Sequence, residues 1–222
     1  MIYTSKGDIS MSALDELAAA VEAGKAKIVK DLVPKAVEEG FTAQQILNDG
    51  LLRGMNVVGD RFTRNEAFVP EVLVSARAMN KGTELIKPML AEEGNEPLGK
   101  ACLGTVQGDL HDIGKNIVKL LVESKGIEVI DLGVDVPPEK FVETVINEKC
   151  DLVLCSALLT TTMPMMGKTI EALKEAGIRD QVKIFVGGAP ITQSFCDEIG
   201  ADYYTEDAAS CAAKCEEVLR AK

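Results

Sequence analysis

The sequence contains no tryptophan and a single histidine, His111, among 222 residues. One histidine excludes every zinc site built on two or more imidazoles, and a Ser-His-Asp triad would have to use His111 or do without. Aromatic residues reach only 4%, which argues against a stacking platform for single-stranded nucleic acid. Positive charge is short as well. With 24 basic residues against 35 acidic ones the formal charge is −11, so nucleic acid and anionic membrane surfaces would both repel the chain. No apolar run approaches the roughly 18 residues of a membrane span. The stretch Met1–Met11 is polar and lacks the apolar region of a secretory signal, so the expected compartment is the cytoplasm. No CxxC pair occurs among Cys102, Cys150, Cys155, Cys196, Cys211 and Cys215. Five of the six lie inside apolar runs or helical patterns, where a free thiol acts as a small hydrophobe. Cys211 and Cys215, one helical turn apart, could share a face.

What is present can build a core: 46% of residues are apolar and 27% charged. The length allows one large domain or two small ones. The first ninety residues carry four amphipathic stripes at three-four spacing. They run through Leu14, Leu17, Ala18 and Val21; Ile28, Val29, Leu32, Val33 and Ala36; Ile46, Leu47, Leu51, Met55, Val58 and Phe62; and Val69, Val72, Leu73, Ala76, Met79, Ile86 and Leu90. Pro34 predicts a kink, Gly24 and Gly40 predict helix stops, and Thr42 predicts a cap. Short connections imply a four-helix antiparallel bundle over residues 1–92. Periodicity then vanishes in a charged, Gly- and Pro-containing linker over 93–99. From residue 100 to 222, short apolar runs at 101–106, 128–132, 152–156, 183–186 and 203–205 alternate with helical stretches near 113–125, 138–148, 164–177, 191–199 and 207–220. This alternation predicts a flavodoxin- or Rossmann-like α/β domain, a doubly wound parallel sheet of five strands. Ligands in such sheets bind beyond the carboxyl ends of the strands, which directs attention to the loops that follow them.

The first of those loops reads Gly108-Asp109-Leu110-His111-Asp112-Ile113-Gly114-Lys115-Asn116. It contains neither GxGxxG nor GxxxxGK[ST], so it is not a dinucleotide fingerprint or a P-loop. It does hold the only histidine of the chain, two residues after Asp109, at the ligand-bearing edge of the sheet.

Asp109-x-His111-x-x-Gly114 resembles the cobalamin-binding motif of methionine synthase and of the corrinoid proteins in anaerobic methyltransferase systems. Asp131-Leu132-Gly133 extends the match. Ser156-Ala157-Leu158-Leu159-Thr160-Thr161-Thr162 looks like the second segment of that family, and Gly187-Gly188-Ala189 like its third. The helical half is similar through Gly54-Met55-Asn56-Val57-Val58-Gly59-Asp60-Arg61-Phe62 and Phe68-Val69-Pro70. The chain departs from the family pattern at Val69, where leucine is frequent, and at Thr162, where methionine synthase has serine; the hydroxyl is kept.

The resemblance implies a methyl carrier that binds cobalamin, as methylcobalamin or another corrinoid, with its lower base off the cobalt. His111 would then be the lower axial metal ligand. Asp109 would orient His111 with Thr162 behind it, forming a His-Asp-Thr proton relay. Gly108, Leu110, Asp112, Ile113, Gly114, Ser156, Leu158, Thr160, Gly187, Gly188 and Ala208 would line the cofactor site. Phe62, Phe68 and Val69 of a helical cap would meet the upper face, with the linker as hinge. The chain holds no separate substrate site, so the resemblance implies a carrier subunit with three partners. These are a substrate-specific methyltransferase, an acceptor methyltransferase delivering to tetrahydrofolate or coenzyme M, and an ATP-dependent reductive activator. The donor could be a methoxylated aromatic, a methylamine, glycine betaine or methanol, the first being preferred on resemblance to short carriers. Three other readings compete: a cobalamin-dependent sensor, which would need a signalling module; a fragment of a cobalamin-dependent isomerase; and a cofactor-free flavodoxin-like interaction domain.

Overall fold

The computed structural model describes residues 11–93 and 96–222. Most of the polar amino terminus, residues 1–10, and Gly94-Asn95 of the expected linker lie outside the described residues. The chain divides into two compact units. One takes the described residues up to Val57 and those from Val74 to 93; the other takes Val58–Leu73 and residues 96–222.

The first unit is helical. Ser12 caps α1 (Ala13–Glu22), its Oγ accepting from the Asp15 amide at 3.2 Å. Gly24 and Gly40, at φ +66° and +90°, follow α1 and α2 (Ala26–Glu38) in the left-handed region that only glycine occupies without cost. Pro34 lies within α2, which continues past it to Glu38. Thr42 forms a capping box with Gln45 at the start of α3 (Ala43–Gln45). The third stripe is then not one continuous α-helix. A π-helical stretch, Ile46–Leu52, separates α3 from α4 (Arg53–Thr63). Ile46 and Leu51 are five residues apart and both fully buried, and a π turn aligns such a pair where an α turn would not. Close helix approach adds a second reason. A Cβ on Gly50 would come 2.6 Å from Leu17 Cδ2, and one on Gly54 would come 2.5 Å from the Ala18 carbonyl oxygen. The fourth stripe forms α5 (Val69–Glu92), where Val72, Ala76, Met79 and Ile86 are buried. Two residues of the expected stripes, Ile28 and Leu73, are exposed instead. Each stands one position to the side of a narrower buried row, Val29-Val33-Ala36 and Val72-Ala76-Met79.

The second unit carries the sheet. In chain order it contains β1 (Lys100–Val106), α6 (Ile113–Glu123), β2 (Glu128–Val136), α7 (Pro138–Glu148), β3 (Leu152–Ser156), α8 (Pro164–Glu175), β4 (Lys183–Gly187), α9 (Gln193–Ile199), β5 (Tyr203–Tyr204) and α10 (Ala208–Arg220). All strand pairs are parallel and the order is β2-β1-β3-β4-β5. Strand order reverses between β1 and β3, which creates the crevice where such sheets bind ligands. Helices cover both faces, and this explains why the strands read as unbroken apolar runs. On one face Phe141, Val145, Met166, Ile170, Leu173 and Cys196 pack over Cys102, Val153, Cys155, Ile184 and Val186. On the other, α6 packs against α10, with Ile117, Leu121, Cys211, Cys215 and Leu219 buried. A Cβ on Gly59 of α4 would stand 3.9 Å from Leu121 Cδ2. All six cysteines are buried free thiols.

β2 runs on to Val136, past its expected end at Leu132. The pairing with β1 slips twice, first between the Leu103↔Asp131 and Gly104↔Gly133 pairs and again before Val106↔Val136. Extra residues therefore bulge from β2, and Gly133 (φ +84°) and Asp135 (φ +54°) take left-handed backbone there. The bulges obscure the alternation that would have marked this strand.

Phe141 is fully buried, and its ring reaches within 2.8 Å of where a Cβ on Gly104 would sit. Phe141→Ala is expected to lower the stability of the sheet unit by about 3–5 kcal/mol, read as a shift in the urea midpoint at unchanged slope.

Candidate functional site

The loop after β1 and the loop after β3 meet at one carboxylate. Asp109 has no solvent-exposed surface, and five donors converge on it. Its Oδ1 lies 2.6 Å from His111 Nδ1 and accepts the His111 amide at 3.1 Å. Its Oδ2 accepts the amides of Leu158 at 2.8 Å and Leu159 at 3.2 Å, and the Thr162 hydroxyl at 2.9 Å. The Thr162 Oγ1 is also 2.9 Å from the Leu159 carbonyl oxygen. One hydroxyl proton thus has two acceptors at equal distance.

Burial of Asp109 would raise its carboxyl, but the donated hydrogen bonds outweigh it. The His111 ring, the Leu158 and His111 amides and the Thr162 hydroxyl together hold the group well below the usual carboxylate range. An ionised carboxylate can only accept, so the network makes Nδ1 of His111 the donor. A neutral ring then carries its lone pair on Nε2, which has no partner among the described residues. The His111 side chain is half exposed.

The rest of the loop is held from β1 and β2. Thr105, buried inside β1, donates its hydroxyl to the His111 carbonyl at 2.8 Å. Asp135 Oδ1 accepts the Gly108 amide at 2.7 Å, and the Asp135 amide donates to the Asp109 carbonyl at 2.9 Å. Lys115, on the first turn of α6, is buried with its Nζ 2.6 Å from Asp131 Oδ1 and 2.9 Å from Asn116 Oδ1. Burial would raise the Asp131 carboxyl, but Lys115, the Gly133 amide and Lys119 hold it below its ordinary value.

Sequence reasoning gave Thr105 and Asp135 no part in the site, and it quoted Lys115 and Asp131 within the matched segments without a role. A lone hydroxyl inside the apolar run 101–106 was the available signal for Thr105. Nothing in the spacing marks a lysine in a polar loop as buried, and the two amides of Leu158 and Leu159 are invisible to side-chain motifs.

The remaining candidates fall on the same edge of the sheet. Leu110 and Asp112 lie in the β1–α6 loop, and Ile113 and Gly114 open α6. Ser156 ends β3, paired with Thr105 on one side and Gly187 on the other. Leu158, Thr160 and Thr162 occupy the next loop, Gly187 ends β4 with Gly188 after it, and Ala208 begins α10. Phe62 in α4, Phe68 before α5 and Val69 at its start belong to the same compact unit. Phe68 is 68% exposed and so is not bundle core.

These residues fit a corrinoid. Leu110 and Ile113, 71% and 73% exposed, flank the half-exposed imidazole, with Leu158 and Leu159 also exposed on the neighbouring loop. Four large apolar side chains are thus left open on the two loops that meet at Asp109, as a broad apolar ligand would require. Space for its tail is present as well: a Cβ on Gly114 would meet nothing within 4 Å, and one on Gly187 would meet only Thr205, no closer than 3.6 Å. Gly188, at φ +136°, is different, since a Cβ there would overlap the Ala157 carbonyl oxygen. His111 leaves its Nε2 open to a metal ion, and no group of three or more His, Cys, Asp or Glu able to hold a metal ion occurs among the described residues.

The folded carboxyl of Asp109 lies below its unfolded counterpart, so its stabilisation is fully present above the unfolded value, about 4, and is lost as pH falls through the folded one. In Asp109→Asn either orientation of the amide turns an NH2 group toward donors. This variant is expected to be less stable than the parent by about 1–3 kcal/mol at neutral pH, with the gap narrowing below about pH 4. Thermal or urea unfolding of the unloaded chain across that range measures it.

Two family models of a B12 binding domain match the chain, one over residues 99–213 and one over residues 13–87. The dimethylamine corrinoid protein 1 of Methanosarcina acetivorans is 44% identical over 207 residues, which is 93% of this chain and 97% of that protein. A corrinoid protein of Desulfitobacterium hafniense is 44% identical over 201 residues, 89% of this chain and 93% of that one. Among solved structures, the methanol:cobalamin methyltransferase complex of Methanosarcina barkeri holds a chain that superposes with a TM-score of 0.86 at 30% identity, covering 98% of this chain and 82% of that chain. The architecture, the histidine-bearing loop at the switch point and these matches converge: the chain belongs to the cobalamin-binding corrinoid proteins of methyltransferase systems.

Proposed function

We propose that the chain carries a methyl group between two methyltransferases on a cobalamin bound base-off, with His111 as the lower axial ligand. The observation that supports this reading most directly is the Asp109–His111 hydrogen bond of 2.6 Å, which commits Nδ1 and leaves the Nε2 lone pair for a metal. When bound, the cobalamin supplies the cobalt that accepts and releases the methyl group. The chain's own part is to hold and release a ligand. Asp109 fixes the ring's orientation and tautomer by accepting the Nδ1 proton. Thr162 adjusts the carboxylate, because its hydroxyl proton can turn between Asp109 and the Leu159 carbonyl.

In this reading Leu110, Ile113 and Leu158 bear on the corrin, and Gly108, Asp112 and Gly114 shape its loop. Ser156, Thr160, Gly187 and Ala208 receive the nucleotide tail, while Gly188 lets the chain pass close to the Ala157 carbonyl beside it. Phe62, Phe68 and Val69, which belong to the same compact unit as the sheet, meet the upper face. The exposure of Phe68 supports that assignment. A substrate-specific methyltransferase loads the carrier, an acceptor methyltransferase unloads it to tetrahydrofolate or coenzyme M, and an ATP-dependent activator restores the reduced cofactor. No helix among the described residues is long and apolar enough to cross a membrane, in keeping with a cytoplasmic carrier. For the donor, similarity to a dimethylamine corrinoid protein supports a methylamine over the methoxylated aromatic that resemblance to short carriers favours.

His111→Ala, reconstituted with cobalamin, is expected to keep the cofactor but lose the absorption signature of an imidazole-ligated cobalt. An unchanged spectrum would sink the axial assignment. For the donor, the loaded chain is to be assayed with methyltransferases specific for dimethylamine, a methoxylated aromatic, glycine betaine and methanol. Methylation of the corrinoid is expected to be fastest, by tenfold or more, with the methylamine enzyme (roughly the discrimination of 1.4 kcal/mol); a faster rate with another enzyme reassigns the donor.

A further inference from the structure

Asp135 stands outside every motif that drew attention to the site, yet it touches the histidine-bearing loop in both directions. Its carboxylate accepts the Gly108 amide at 2.7 Å, and its own amide donates to the Asp109 carbonyl at 2.9 Å. The two bonds bracket the peptide unit from which the Asp109 side chain departs. Asp135 holds φ +54°, a left-handed conformation that L-residues avoid and that aspartate and asparagine tolerate best. It also lies in the second slip of β2 against β1, between the Gly104↔Gly133 and Val106↔Val136 pairs. A regular strand at that register would alternate its side chains across the sheet faces. The bulge instead carries the Asp135 carboxylate beyond the edge of β1, where the loop turns.

We propose that Asp135 is a positioning residue for His111, acting through Gly108 and Asp109, and that the β2 bulge exists to aim it. The assignment rests on the proposed role of His111 as cobalt ligand. Asp109 reaches His111 from one side and the β3–α8 loop from the other, so its backbone must be fixed before either side-chain bond can have the right length. Gly108, at φ +84°, leaves that backbone free to rotate, and Asp135 supplies the restraint that glycine lacks. The two functions of Asp135 are separable. The acceptor belongs to its side chain; the donor belongs to its backbone and needs only the left-handed conformation.

Three variants of the full chain divide those functions. Asp135→Asn keeps an acceptor oxygen and the left-handed tolerance. Asp135→Gly keeps the conformation and the amide but removes the acceptor. Asp135→Ala removes the acceptor and disfavours the conformation. Because His111 is the only histidine, its ring nitrogens give the sole imidazole signals in a nitrogen-15 spectrum of the unloaded chain. The loaded chain, labelled with nitrogen-15 and with unlabelled cob(II)alamin as probe, reports axial imidazole through nitrogen-15 hyperfine coupling in its electron paramagnetic resonance spectrum, which the cofactor's own base does not give. Asp135→Asn is expected to match the parent in both spectra. In Asp135→Gly the ratio of imidazole-bound to unbound cobalt should fall about three- to tenfold, and in Asp135→Ala at least as far, with the Nδ1 signal moving toward that of a free imidazole. Parent-like spectra from both Asp135→Gly and Asp135→Ala would overturn the proposal. If Asp135→Ala does not fold, the Asn and Gly pair decides. If the parent itself shows no nitrogen-15 coupling, the axial-ligand reading fails, while the Nδ1 signal of the unloaded variants still decides whether Asp135 positions His111.

Discussion

A carboxylate removed from water must be given back its hydrogen bonds, and Asp109 receives them from two loops that are distant in sequence. His111 lies two residues away, whereas Leu158, Leu159 and Thr162 lie about fifty residues on. The cost of leaving so buried a charge unpaired is large, so the two loops cannot separate without exposing or protonating it. The strand order supplies the opportunity. Since β1 and β3 are neighbours at the reversal of the sheet, their carboxyl-end loops are adjacent, and a residue on one can be satisfied by backbone on the other. The imidazole is thereby tied to the sheet rather than to a loop alone, which gives a single exposed side chain the fixed orientation that a metal ligand requires.

A second ring of contacts secures the first. Thr105 holds the His111 carbonyl, Lys115 pins Asp131 across the start of α6, and Asp135 reaches back from the bulged end of β2. Each of these is a polar side chain placed where pattern reasoning expects either core or surface. Buried polar networks of this kind constrain geometry more than they add stability, because each member has already lost its water. That the described residues contain no buried side-chain polar atom lacking a partner fits this description.

The layers of the fold were legible because their physics is periodic. The alternation of apolar runs and helical stripes placed β3 and α7 at their observed bounds, and Thr42 was legible as a cap, its box with Gln45 appearing only in the structure. Where periodicity was interrupted, legibility failed. The π turn at Ile46–Leu52 needs a five-residue step that a three-four template absorbs without notice, and the bulges of β2 hid the strand beyond Leu132. In the site, a motif of side chains announced Asp109 and His111, but the amides of Leu158 and Leu159 carry no residue identity, and the burial of Lys115 depends on tertiary packing. Asp135 combined both difficulties, being a polar residue in a bulge.

The buried cysteines have a bearing on the cargo. A methyl group that can be passed between enzymes is open to any competent nucleophile, and a thiolate is the best one a protein offers at neutral pH. Burial pushes the Cys155 thiol up to about 12 and raises that of Cys196, hydrogen bonds with Cys102 and Cys215 lower those of Cys150 and Cys211, and all six sulfurs are withdrawn from the surface. In a carrier arranged in this way the thiols, whatever their acidity, are kept by burial from competing with the intended acceptor.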